Sequence, residues 1–112
     1  MDADLLDRIG VAMTVCDERG VVTGQNAASA EVFARNWGGR LVGRDLRLCH
    51  PPPAREKLDS LLAEPRLNAY TIEKAGRRKL IYQAPLYREG KFAGYVELSF
   101  PIPDALPHFV RK

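Results

Sequence analysis

Apolar and polar positions alternate in short runs along this chain, interrupted by glycine, proline and charged turns. Val11-Ala12-Met13-Thr14-Val15-Cys16 alternates large and small side chains, as a strand with one core-facing side does. Asp17-Glu18-Arg19-Gly20 supplies turn chemistry, with Gly20 able to adopt the positive φ of a hairpin return. Val21 to Gln25 is β-branched and leads into Asn26, whose short amide suits a helix N-cap. Ala30, Phe33, Ala34 and Trp37 then form one apolar stripe at helical spacing, predicting a helix that Gly38-Gly39 stops.

The remaining pattern predicts few further elements. Asp4 to Ile9 reads as a short amphipathic helix, and Gly39 to His50 has no clear period, so short turns and loop are expected there. Pro51-Pro52-Pro53 opens a helix, because the first helical N–H groups have no partner anyway. Ala54, Leu58, Leu61 and Leu62 line one side of it, Arg55, Glu56, Lys57 and Asp59 face water, and Pro65 ends it. Strands are predicted near 11–16, 21–25, 68–74, 78–87 and 93–100. On hydrophobicity, Tyr70, Ile72, Leu80, Tyr82, Ala84, Leu86, Val96, Leu98 and Phe100 are expected inward, with Ile81, Tyr95, Glu97 and Ser99 outward. Helices between a leading hairpin and a trailing three-stranded meander indicate an α+β layer fold. The organisation expected is one domain over 1–112: a helix at 3–9, a core at 10–102 and a proline-containing tail at 103–112.

The order of these parts resembles a PAS domain, in which a D-x-x-G hairpin runs into an Asn-capped helix. Gly43-Arg44-Asp45-Leu46 is similar to the G-[KR]-x-[LVF] step of that family, and Gly90-Lys91-Phe92-Ala93-Gly94 to its last hairpin. Ala84-Pro85-Leu86 falls late in the penultimate strand. The likeness runs from about Leu5 to Ile102, and it lies in order and spacing, since no single piece is specific. It implies a PAS-like antiparallel sheet of about five strands with helices over one face. It also implies a sensory, signal-transducing role. The segment Cys49-His50-Pro51-Pro52 is similar to a PAS subgroup often joined to hemerythrin-like domains.

Composition narrows the classes. The 112 residues carry a net charge of +3, with basic residues dispersed rather than gathered with stacking aromatics, so nucleic-acid binding is not expected. Neither a membrane span nor a signal peptide is read, and a cytoplasmic location is expected. Cys16 and Cys49 are the only cysteines and lack metal-ligand spacing; they are expected to be reduced thiols. Asp17, Glu18, Glu73, Glu89 and Glu97 fall in turns or on expected outward positions, and no nucleophile elbow, P-loop or zinc-protease motif occurs, so an enzyme is not expected.

Candidate chemistry therefore concerns an internal cavity. The residues expected to line it are Phe33, Trp37, Leu46, Cys49, His50, Leu58, Leu62, Tyr70, Tyr82 and Leu98, with His50, Tyr70 and Tyr82 setting orientation. Haem and non-covalent flavin are the cofactors the resemblance brings into view, neither of them favoured. His50 is the haem-ligand candidate, set against the blander reading of a loop histidine bonded to backbone or solvent. The adduct-forming cysteine of light-sensing PAS domains is absent after Gly43-Arg44-Asp45, where Leu46 follows. Two functions compete: a small-molecule sensor, and an interaction module whose aromatics fill the core. A homodimer is expected through Leu5, Leu6 and Ile9 with Ile81 and Tyr95 on the sheet's outer face. Pro101, Pro103 and Pro107 break any helix leaving the last strand, so output is expected to pass to a separate signalling protein, unless the chain is an excised piece.

Overall fold

The computed structural model describes residues 3–35 and 37–112. After helix α1 (Ala3–Arg8), strands β1 (Ala12–Cys16) and β2 (Val22–Gln25) form a hairpin. Asp17 builds the turn: its Oδ1 accepts from the backbone N–H of Arg19 and Val21, while Gly20 takes φ 88°. Helices α2 (Ala27–Val32), α3 (Leu46–Cys49) and α4 (Ala54–Ala63) follow, and then the meander β3 (Asn68–Lys74), β4 (Arg77–Arg88) and β5 (Lys91–Pro101). The meander turns at Ala75-Gly76 and Glu89-Gly90 have positive φ at both positions, the hand that matches strand twist. All pairings are antiparallel, in the order β2-β1-β5-β4-β3. The five strands thus lie within about two residues of their predicted ends.

Asn26 joins three elements. Its Oδ1 accepts from the N–H of Ser29, the N-cap bond of α2, and from the N–H of Met13 in β1. Its Nδ2 donates to the carbonyls of Leu6 and Val11. A buried amide satisfied four times over fixes the angle at which α1 and α2 leave the sheet.

The structure corrects two expectations. The helix after Asn26 ends at Val32, before Trp37, and Trp37–Gly39 forms a separate 3-10 turn. The chain folds back here so closely that a Cβ on Gly39 would collide with the carbonyl oxygen of Ala30. More consequentially, the faces of β4 and β5 are the reverse of those expected. Thr14 Oγ1 and Ser29 Oγ share a 2.6 Å hydrogen bond, which turns Ala12, Thr14 and Cys16 toward the helices. Ser99, Glu97 and Tyr95 stand directly opposite them in register and therefore share that face. Val96, Leu98, Phe100, Leu80, Tyr82 and Ala84 consequently lie on the other face, and Ile81 and Tyr95 are buried at 7% and 6% exposure. Ile81 and Tyr95, expected on the outer face as part of a dimer seam, are therefore not on that face.

Candidate functional site: a cavity between sheet and helices

Small residues on the inner face of β1 leave room between the sheet and the helical layer. A cavity of about 610 Å³ occupies it, reaching from Thr14 and Cys16 to Leu41, Leu46, Ala54, Leu58 and Leu61. Part of its wall is the buried cluster of Cys16, Leu61 and Tyr95, packed by Leu46, Leu62 and Phe92. The Tyr95 hydroxyl holds β5 to α4: it donates to the Leu61 carbonyl at 2.8 Å and accepts from the Arg66 N–H at 3.0 Å. The Phe92 ring meets Tyr95 edge-on at 5.5 Å. Burial pushes the Cys16 thiol above its ordinary pKa, with Asp17 and Glu97 adding to the effect.

A polar row crosses the floor. Gln25, Thr14, Glu97, Gln83 and Asn68 stand opposite one another in register across all five strands. Asn68 Nδ2 donates to Gln83 Oε1 at 2.8 Å, and Gln83 Nε2 donates to Glu97 Oε1 at 2.7 Å. On the other side, Gln25 Nε2 donates to Ser29 Oγ, and Gln25 Oε1 accepts from the Leu41 N–H, fixing the loop that carries Leu41. Burial, with Glu97 nearby, also raises the pKa of the Tyr70 phenol.

The rim is aromatic and strained. Trp37, the only tryptophan, has φ 53°, an unusual conformation for a bulky residue, and the Arg44 guanidinium sits 4.7 Å from its ring centroid. The Gly43-Arg44-Asp45-Leu46 step is laid against β2 by Gly43 N–H to Val22 O, Val22 N–H to Arg44 O and Leu46 N–H to Gly20 O. Asp45 then caps α3 through the Arg47 N–H. His50 follows α3, and its Nδ1 lies 2.7 Å from the Leu46 carbonyl oxygen. A carbonyl only accepts, so Nδ1 carries the proton and Nε2 is left as the free ring nitrogen.

Of the residues expected at the cavity, Phe33, Trp37, Leu46, His50, Leu58 and Tyr70 line it. Leu62 instead packs against the buried cluster beneath. Tyr82 and Leu98 lie on the opposite face of the sheet, for the register reason given above. The side chain of Cys49 lies outside the described residues. Sequence reasoning missed the floor, Thr14, Asn68, Gln83 and Glu97, together with Lys57 at the mouth. The available signal was the small set Ala12, Thr14 and Cys16, which marks the face with room above it.

No protein-family model matches the sequence, and no curated protein matches it. Solved structures do. The C-terminal domain of a Streptococcus mutans protein superposes with a TM-score of 0.71 at 21% identity, over 88% of this chain and 81% of that one. The PAS domain of BvgS from Bordetella pertussis gives 0.66 at 21% identity, over 91% and 84%. The Aer2 receptor of Vibrio cholerae, described as a dual PAS-heme oxygen sensor, gives 0.61 at 17% identity, over 83% and 95%. None of these likenesses ties the chain to the C-H-P-P subgroup. At such identities they concern architecture, and on that ground, with the strand order and Asn-capped helix above, the chain has the PAS fold.

Proposed function

We propose that this chain is a sensory module that binds a small molecule in the cavity and relays its occupancy through contacts made by the sheet. The observation that carries this reading is the cavity itself: about 610 Å³, mostly apolar walls, and a hydrogen-bonded polar row across the floor. A few convergent polar groups in an apolar hollow are what small-molecule sites are made of. The PAS neighbours in sensor kinases and receptors support the same role. No catalytic role is assigned to the chain. A cytoplasmic setting accords with Cys16 being a free thiol.

Relay through a homodimer is supported by the outer sheet face, where Met13, Val15, Leu80, Tyr82, Ala84, Val96, Leu98 and Phe100 form a continuous apolar surface. The proposed two-fold seam uses this surface together with the exposed Leu5 of α1. Beyond β5, Ile102 N–H bonds to the Arg78 carbonyl and Arg78 reaches the Asp104 carbonyl, so the tail follows β4 and continues without a helix. The proposal includes a partner protein that reads the sheet.

Native mass spectrometry of freshly purified protein tests the reading: a retained small molecule, lost on unfolding, is expected. Protein free of any ligand, with a cavity filled by side chains in an experimental structure, would replace it with a packed interaction module.

One observation favours haem as a second reading. His50 lines the cavity with Nδ1 committed to a carbonyl, the arrangement that orients an imidazole for ligation through Nε2. Haem would supply an iron centre responsive to gas or redox state. A Soret shift on titration with haemin that His50→Ala abolishes would establish it; equal titration of both proteins would remove His50 as the ligand.

A further inference from the structure

We infer that the cavity is built for an organic cation, an ammonium or amidinium head on an apolar body, with Glu97 as the residue that reads its charge. This rests on the small-molecule reading above and names the ligand class.

The argument starts from a carboxylate that can only accept hydrogen bonds. Glu97 Oε1 takes the Gln83 amide N–H, which obliges Gln83 to turn its own oxygen the other way, where it takes the Asn68 amide N–H. The direction of the whole row is thus dictated by Glu97. One N–H of each amide points along the floor toward the carboxylate, and the second oxygen of Glu97 and the Oδ1 of Asn68 remain as acceptors.

Among the described residues no cation forms an ion pair with Glu97; the ion pairs there join Arg8 to Asp4, Arg19 to Asp17 and Arg47 to Asp59. Glu97 is only half-exposed and lines the cavity. A carboxylate removed from bulk water without a counter-charge is costly, and a bound cation relieves that cost. Two other polar groups of the lining are already committed: the Tyr95 hydroxyl to Leu61 and Arg66, and His50 Nδ1 to the Leu46 carbonyl. Lys57 is the one lysine or arginine among the described lining residues, and it is exposed to solvent on α4. Phe33, Trp37 and Tyr70 supply aromatic rings, which attract a desolvated cation.

Three probes with one apolar body and different heads test this: 2-phenylethylammonium, 2-phenylethanol and 3-phenylpropanoate. Trp37 is the sole tryptophan and lines the cavity, so its fluorescence reads binding, with calorimetry as the second measure. The ammonium is expected to bind about tenfold or more tighter than either other probe, the scale of one charge-assisted contact. Glu97→Gln should remove that preference while leaving phenylethanol binding nearly unchanged. Binding of the carboxylate as tightly as the ammonium overturns the inference but leaves the sensor reading standing, since the cavity would then hold a small molecule of the other sign. Failure of all three to bind, while the purified protein retains a different small molecule, overturns the inference alone. Failure of all three with no retained molecule overturns both.

Discussion

Gln83 Nε2 lies 2.7 Å from Glu97 Oε1 on the inner face of the two central meander strands, so a carboxylate expected in solvent is instead part of a cavity floor. The account depends on that relationship, because it gives the hollow between sheet and helices a polar, oriented surface.

Removing the knot at Asn26 should be costly. Asn26→Ala breaks four hydrogen bonds at a buried position, and a loss of about 2–4 kcal/mol is expected from the helix cap and the stranded carbonyls together. Asn26→Asp keeps the oxygen that caps Ser29 but cannot donate to Leu6 and Val11, so it should fall between. Urea denaturation of the three proteins measures the order.

Gly94 takes φ 131°, and a Cβ there would collide with the carbonyl oxygen of Cys16 in the adjacent strand. Gly94→Ala is expected to cost about 2 kcal/mol or more, through strain and loss of the β1–β5 approach. A melting temperature equal to that of the wild type would refute the close approach.

Stability should fall in alkaline solution partly through Cys16. Its folded pKa is raised by burial above the ordinary 9.0, so the folded state holds the proton that the unfolded chain releases. The contribution is neutral below the unfolded pKa. It turns unfavourable as pH rises through that value, and levels off above the folded pKa. Cys16→Ala should flatten this limb of a plot of unfolding free energy against pH; an unchanged slope would locate the effect elsewhere.

Association should depend on the outer face and not on the residues beneath it. Leu98→Lys puts a charge in the middle of the apolar surface, opposite Met13 and Tyr82, and should shift the sedimentation of a dimer to that of a monomer. A wild-type protein that sediments as a monomer at every concentration would contradict the dimer.

The strands, their order of appearance, the Asn26 cap and the Asp17 turn were legible because each is a local matter of period, propensity and capping. Which face of β5 is buried was not. Tyr95, Glu97 and Ser99 alternate with Val96, Leu98 and Phe100, and hydrophobicity alone favours the second set. The decision is made by cross-strand register with Thr14 and by the Thr14–Ser29 bond, both long-range. Part of the cavity was foreseen: Phe33, Trp37, Leu46, His50 and Leu58 lie in the segment between the hairpin and the meander, which packs over the sheet whatever its exact helix ends, while Tyr82 and Leu98 depended on register. The early end of α2 also depended on packing, since the backbone of Gly39 lies against Ala30.

The most direct test of the central claim is a fragment screen followed by two-dimensional NMR of the side-chain amides of Asn68 and Gln83, two groups of the floor that line the cavity. The account predicts that bound compounds shift both amide pairs, and that Gln83→Leu weakens binding without unfolding the protein. Compounds that leave both pairs unmoved, or that perturb only the outer face around Leu98, would contradict it.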